Sequence, residues 1–226
     1  MRLPPGQRAI DHFPRFGVPA FASRLPATPS VDFTIQLEAA EAEPAPIASA
    51  DLARLRRVEV VADFHCVTTW SCRAQSFSGY AFREFYERLL RPRAPAHSAF
   101  AFVEFKGLDG YGTCIVLEDL LAEDVLLADR LNGAPLSLEH GAPLRLVAPS
   151  LYGYKNIKHV SRVRLRPDYR RTSVERQTRA HPRGRVAFEE RGRGLPGWAY
   201  RIVYRALLPG TLWYFKRAER RAQRMK

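Results

Sequence analysis

Apolar and polar residues alternate in several short stretches of this 226-residue chain, which is the pattern of β-strands with one buried face. The clearest examples are residues 31–37, where every second residue is apolar, and 99–106, where Ala101, Val103 and Phe105 share one face. The sequence predicts a buried strand over 58–64 from its apolar run, and further strands over 112–117, 144–147 and 159–165.

Helical spacing is confined to short segments. Phe82, Phe85, Tyr86 and Leu89 predict a helix over 80–90 that Pro92 ends. Shorter helices are predicted over 49–57 and 117–121, and a strand–turn–strand over 131–136. Prolines predict an extended arm over 1–30 and a loop over 39–48. Mixed strands and short helices, without a repeating strand–helix alternation, predict an α+β fold rather than a Rossmann sheet.

The chain changes character after residue 168. Residues 170–194 are rich in Arg, Gly and polar residues, which predicts a mobile linker. Residues 195–215 are aromatic and divided by Pro209-Gly210, and 211–226 predict a basic helix. This end either packs on the core or a second subunit, or lies on a membrane surface. We therefore divide the chain into an arm (1–30), a central domain (31–168) and a C-terminal segment (169–226).

The net charge of +13 is concentrated after residue 162, but no nucleic-acid-binding motif accompanies it, which disfavours nucleic acid as a partner. No stretch is long and apolar enough to span a bilayer, and the N-terminus lacks the apolar region of a secretory signal. These features predict a cytoplasmic protein. Cys66, Cys72 and Cys114 form neither a disulfide framework nor a structural zinc motif.

Cys66 is the candidate reactive thiol, because it follows the strand predicted over 58–64 and precedes a small polar loop. Most lone cysteines are core residues, so the local pattern leaves both interpretations open. Cys114 falls within a predicted strand and is interpreted as a core residue.

Three segments of the chain carry distinctive motifs. The first is Cys66-Val67-Thr68-Thr69-Trp70-Ser71. The second runs from His140 to Pro149 and on through Tyr152 to Lys158; the third is Phe13-Pro14-Arg15-Phe16-Gly17. Together they resemble the sulfite oxidase family of molybdopterin-dependent oxidoreductases, which includes the bacterial catalytic subunit that reduces methionine sulfoxide. The first segment is similar to the family's metal-ligand segment, the three occur in the family's order, and the resemblance spans about residues 8–168.

The resemblance implies the family's α+β fold and a cofactor, molybdenum held by molybdopterin, with Cys66 as the thiolate ligand of the metal. Tyr111 and Tyr152 are the candidates to donate a hydrogen bond to substrate, and with Cys66 they form the predicted catalytic set. His65 either tunes the site or points away from it. The predicted cofactor contacts are Asp11, Pro14, Arg15, His65, His140, Arg145, Lys155, Asn156, Ile157 and Lys158, with Asp11 and His140 replacing asparagines of the relatives.

The activity implied is a two-electron oxygen-atom transfer on a small oxo substrate such as sulfite or a sulfoxide. Such a reaction needs an electron donor or acceptor protein, which the sequence leaves unidentified. The alternative is a non-enzymatic module that docks a membrane or a partner through its basic C-terminal segment.

Overall fold

The computed structural model describes residues 2–14, 18–21, 24, 26, 32–39 and 43–224. Its strands are β1 Arg8–Ile10, β2 Thr34–Ala39, β3 Ala45–Ala48, β4 Arg57–His65, β5 Trp70–Ala81, β6 Phe102–Gly107, β7 Gly112–Val116, β8 Leu126–Leu131, β9 Ala134–Pro135, β10 Arg145–Val147 and β11 Val160–Arg166. Its α-helices are α1 Ser49–Leu52, α2 Phe82–Phe85, α3 Leu117–Leu120, α4 Ser173–Gln177 and α5 Gly197–Arg224. A π-helical turn over Tyr86–Leu90 extends α2, and 3₁₀ turns occupy Pro19–Phe21 and Arg91–Arg93.

Two sheets form the body of the described chain. One runs β1-β5-β8-β10, with β4 also paired to β5 and β9 to β8. The other has the order β3-β2-β11-β6-β7. Both mix parallel pairs (β1 with β5, β2 with β11) with antiparallel ones. The α+β prediction is therefore confirmed.

Two groups of buried side chains stabilise this arrangement. The larger lies between the sheets and joins Ile35 and Leu37 of β2 to Phe105 of β6 and Leu146 of β10. Their alternation along each strand places one face inward, as the sequence predicts. The smaller group is built around the end of β4 and the start of β5 and consists of Phe64, Cys66, Trp70, Cys72, Phe77, Leu126, Ala128 and Val147. Cys66 therefore lies in an apolar setting.

Three predictions for the first half of the chain need correction. The 39–48 loop contains strand β3, in which Pro46 is tolerated because β3 pairs only with β2 and forms a sheet edge. The helix predicted over 49–57 ends at Leu52. Strand β4, expected to be buried, leaves one face in solvent, and Val61 is 63% exposed.

The C-terminal segment also differs from the sequence-based expectation. Residues 170–194 contain α4 and a set of buried side chains, so they pack on the body and do not form a loose linker: Val174, Glu175, Ala180, Val186 and Arg191. Helix α5 continues through Pro209 and is not divided there. Among the described residues, no helix combines the length and apolar character needed to span a bilayer. The division of the chain at residues 30 and 168 stays a prediction.

Candidate functional site

A four-residue turn between β4 and β5 presents Cys66. The Cys66 amide donates to the Trp70 carbonyl at 2.9 Å, and the Thr69 amide donates to the Cys66 carbonyl at 3.2 Å. Thr69 adopts a left-handed conformation, with φ of 79°, which lets the chain reverse this tightly. The Cys66 Sγ lies 3.1 Å from the Thr68 hydroxyl. Backbone pairing therefore fixes the position from which the thiol projects.

A buried polar network supports this turn from the arm. The His65 Nδ1 lies 2.7 Å from the Ser71 hydroxyl, which donates to the Gln7 Oε1 at 3.1 Å. The Gln7 Nε2 in turn donates to the Cys66 carbonyl at 3.0 Å. His65 is therefore turned toward Ser71 and the arm, and it orients the cysteine turn indirectly. Burial lowers the pKa of His65, which favours the neutral imidazole.

Arg191 clamps the same turn from the C-terminal segment. Its buried guanidinium donates through Nη1 to the Val67 carbonyl at 2.6 Å and through Nη2 to the Pro5 carbonyl at 2.9 Å. Glu189 lies 3.4 Å from Arg191 Nε and accepts from Arg201 of α5 at 2.7 Å. Arg191 therefore joins the cysteine turn to the arm, and its contact with Glu189 links both to α5.

The environment of Cys66 favours the thiol until a cation binds. Burial raises the pKa of Cys66 to about 11, although the Thr68 hydrogen bond and the Arg191 charge act in the opposite direction. A thiolate is the form that ligates a metal, and a bound metal ion deprotonates a coordinating thiol. Cys66 would therefore become charged only on binding a metal, and its role as the ligand stays a prediction.

Arg145 on β10 is buried with an incomplete set of partners. Its Nη1 donates to the His140 carbonyl at 3.0 Å, but Nε and Nη2 have no hydrogen-bond partner among the described residues. The rings of Phe13, Phe64 and Phe77 surround the guanidinium at 5.2–5.7 Å. Burial lowers its pKa to about 10, so it remains charged at neutral pH. A buried, unpaired cation is costly, and an anionic ligand would satisfy it.

His140 and Lys158 lie beside Arg145. A Cβ on Gly141 would lie 3.0 Å from the Cβ of Lys158 and 3.1 Å from that of Arg145, so the backbone brings both cations together. The Lys158 Nζ donates to the Glu139 carbonyl at 2.6 Å. His140 contacts the Phe13 carbonyl through Nε2 at 3.0 Å, and burial lowers its pKa. The histidine therefore connects this cationic region to the arm.

The remaining predicted arm contacts are less defined. Asp11 is exposed and Pro14 is half-buried, on either side of Phe13. Arg15 lies outside the described residues. Phe13 itself packs on Phe64, with ring centroids 4.7 Å apart, and so brings the arm to the site. The side-chain roles of Asp11, Pro14 and Arg15 toward the cofactor stay predictions.

Three other predicted contacts hold the fold together in this structure. The Lys155 Nζ is fully buried and bonds the Cys114 carbonyl at 2.7 Å and Glu175 at 3.1 Å. Asn156 bonds the Ala148 backbone through Oδ1 at 2.7 Å and through Nδ2. The amides of Asn156 and Ile157 donate to backbone carbonyls nearby. Contacts from these three residues to the cofactor stay predictions.

The two predicted catalytic tyrosines lie near the Cys66 turn: the charge of Cys66 acts on Tyr111, and Tyr152 contacts Arg191, which bonds the turn. The Tyr111 hydroxyl donates to the Tyr154 carbonyl at 2.6 Å, and burial, with a smaller effect of Cys66, raises its pKa well above the usual value. Tyr152 is buried, its ring lies 5.1 Å from the Arg191 guanidinium, and burial raises its pKa to about 12. Both hydroxyls keep their protons at neutral pH, as donors to a substrate oxygen must.

Comparison with known proteins assigns the family. The sequence model of one protein family, the oxidoreductase molybdopterin binding domain, matches residues 22–174. The chain belongs to this family. The match confirms the cofactor predicted from the three motifs, molybdenum–molybdopterin. The unpaired Arg145, adjoining Lys158, and the buried Cys66 fit such a group, because it is anionic at one end and needs one protein thiolate.

The relatives support the family and the fold. The chain is 31% identical over 160 residues to the uncharacterized oxidoreductase YuiH of Bacillus subtilis (strain 168), covering 70% of this chain and 75% of that protein. It is 38% identical over 76 residues to mitochondrial sulfite oxidase of Homo sapiens, covering 30% of this chain and 14% of that protein. Sulfane dehydrogenase SoxCD of Paracoccus pantotrophus superposes with a TM-score of 0.50 at 21% identity, covering 60% of this chain and 38% of that one. The sulfite oxidase-type fold is therefore confirmed.

Sequence reasoning missed Arg191, Glu189 and Gln7. Arg191 and Glu189 lie beyond residue 174, where the family match ends, in a segment whose composition indicated a linker. Gln7 precedes the motif around Phe13 and carries no local signal. Their role depends on contacts distant in sequence, such as the 124 residues separating Arg191 from Val67.

Proposed function

We propose that this protein is a molybdenum oxidoreductase that transfers an oxygen atom to or from a small oxo substrate in a two-electron reaction. The observation that carries the proposal is a rigidly held, buried cysteine in the same apolar group, around Phe64 and Phe77, that surrounds a buried arginine without an anionic partner. The family assignment supplies the cofactor that both residues would contact. The match to sulfite oxidase favours sulfite as the substrate, and the motif resemblance also implies a sulfoxide as a candidate.

Each residue has a defined task in this proposal. Cys66 would ligate molybdenum, while Arg145 and Lys158 would hold the anionic end of the pterin. When bound, the cofactor supplies a centre that accepts or donates two electrons and an oxygen atom. Tyr111 and Tyr152 are protonated donors that would orient a substrate oxygen, and Tyr111 would have to give up its bond to the Tyr154 carbonyl to do so.

The reaction balances in either direction. Oxidation of sulfite forms one S–O bond with an oxygen from water and releases two electrons and two protons. Reduction of a sulfoxide breaks one S–O bond, consumes two electrons and two protons, and forms water. Both directions require a separate electron-transfer partner, which we propose to be a protein. The alternative of a non-enzymatic module has no support in the comparisons.

The proposal is tested on the purified, molybdenum-loaded protein with artificial electron partners. We expect either ferricyanide reduction that depends on sulfite, or oxidation of reduced viologen that depends on a sulfoxide, and loss of that activity in Cys66→Ser. Loaded protein that is inactive with both substrate classes would overturn the substrate assignment. Activity that survives in Cys66→Ser would overturn the role of the cysteine.

A further inference from the structure

Helix α5 packs on the body along one side of its N-terminal half. Tyr200, Tyr204 and Leu208 follow one another at intervals of four residues, so they share a face. The Tyr200 hydroxyl bonds the Arg193 carbonyl, and its ring stacks on Tyr204 with centroids 5.6 Å apart. Leu208 packs against the apolar group that contains Cys66. This face explains why the helix is attached to the body.

The opposite side of α5 carries large apolar side chains in solvent. Trp198, Ile202 and Trp213 are 59%, 64% and 61% exposed. At 3.6 residues per turn they fall within about 60° of one another around the helix. Leu212 flanks this row, about 40° from Trp198, and is also exposed. Exposed apolar patches of this kind mark interaction surfaces.

The charge of the helix limits what can cover this row. Over positions 205–224 the sequence has six basic residues and one acidic residue, Glu219. Two copies of α5 placed face to face would bring these like charges together. Tryptophan rings prefer the interface between acyl chains and headgroups, and basic residues are attracted to anionic headgroups. A bilayer surface that carries anionic lipid satisfies both requirements at once.

We propose that α5 docks this protein on the surface of an anionic lipid bilayer, with Trp198, Ile202 and Trp213 inserted at the headgroup level. The helix would lie in the plane of the interface, since it lacks the apolar character to cross it. Because Leu208 packs against the apolar group that contains Cys66, docking would hold the oxidoreductase site close to the membrane. The proposal concerns attachment and does not depend on the substrate.

The test is co-sedimentation of the full-length, molybdenum-loaded protein with lipid vesicles. We expect binding to vesicles that contain phosphatidylglycerol, weak binding to pure phosphatidylcholine, and release by salt. The double change Trp198→Ser and Trp213→Ser should weaken binding about tenfold or more, which corresponds to about 1.4 kcal/mol. Both side chains are exposed, so circular dichroism should be unchanged.

Phe188→Ser is the matched control. Phe188 is an exposed aromatic residue, 67% accessible, that lies outside α5, and its loss should leave vesicle binding unaltered. Absence of binding to the anionic vesicles would overturn the proposal. So would equal weakening by the control change, or association into dimers by light scattering together with no binding to vesicles.

Discussion

We propose that Arg145 couples the stability of this chain to its cofactor. Its guanidinium is fully buried and ringed by Phe13, Phe64 and Phe77, with one hydrogen bond to a carbonyl. Taking a cation out of water without an anion costs several kcal/mol, which the aromatic rings offset in part and a bound anion would offset further. Arg145 would therefore destabilise the cofactor-free protein and stabilise the complex.

We predict that Arg145→Met separates these two effects. The cofactor-free protein should be as stable as wild type or more stable by about 1–4 kcal/mol, because an apolar side chain replaces an unpaired charge. Retention of the cofactor should fall about tenfold or more, since a charge-assisted contact contributes about 1.5–3 kcal/mol. Urea unfolding of the cofactor-free protein and pterin content after dialysis measure the two quantities.

Arg185→Met serves as the control for that experiment, because Arg185 forms a partly exposed ion pair with Glu190 at 2.7 Å. Arg185→Met should change neither the free energy of unfolding nor the pterin content by much. Strong destabilisation of the cofactor-free protein by Arg145→Met, with normal pterin content, would show that Arg145 has a structural role only.

Between elements, Arg191 connects the C-terminal segment to the turn that holds Cys66. We predict that Arg191→Gln leaves the Val67 and Pro5 carbonyls without their charged donor and lowers the free energy of unfolding by about 3 kcal/mol. The amides of residues 67–70 should exchange with solvent faster, as measured by hydrogen–deuterium exchange. Unchanged exchange in this turn would contradict the role assigned to Arg191, and Arg185→Gln, at a partly exposed arginine, provides the control.

The contact between Lys155 and Glu175 ties α4 to the sheet that contains β7. Burial alone would raise the pKa of Glu175, but the Lys155 ammonium and the hydrogen bonds from Thr172 outweigh it and lower that pKa. The unfolded chain therefore takes up this proton at a higher pH than the folded chain. The stability that the carboxylate contributes is present above the ordinary glutamate pKa, about 4.3, and is lost as the pH falls through the lower folded value.

We predict that Glu175→Gln lowers the free energy of unfolding by about 3–5 kcal/mol at pH 7, because it leaves Lys155 buried without a counter-charge. The difference from wild type should shrink as the pH is lowered below about 4, where protonation removes the same charge from the wild-type protein. Urea unfolding at both pH values measures this difference. If wild type and Glu175→Gln differ in unfolding free energy by the same amount at both pH values, the Lys155–Glu175 pairing is contradicted.

The elements also show where sequence reasoning reaches its limit. Strands β2, β6 and β11 were predicted because one face of each is buried and alternation reveals it. Strand β5 was missed, because its polar residues from Gln75 to Gly79 form a strand only through pairing with β4 and β8. At the site, Cys66 and Arg145 lie in local motifs, whereas Arg191 reaches Val67 through tertiary packing alone.

At the scale of the whole molecule, the family domain explains residues 22–174, and the flanking parts complete the site. The arm contributes Gln7 and Phe13, and the C-terminal segment contributes Arg191 and the packed face of α5. The alignment with the Bacillus relative covers 75% of that protein, whereas the alignment with human sulfite oxidase covers 14% of it. The surroundings proposed for the cofactor therefore include residues outside the matched domain.

We propose that Cys66 supplies the protein's ligand to molybdenum, and X-ray absorption at the molybdenum edge can show it. We expect Cys66→Ser protein loaded with cofactor to lose one sulfur neighbour of the metal that the wild-type protein has. Cys72→Ser and Cys114→Ser should keep the wild-type shell. An identical sulfur shell in wild type and Cys66→Ser would contradict this proposal.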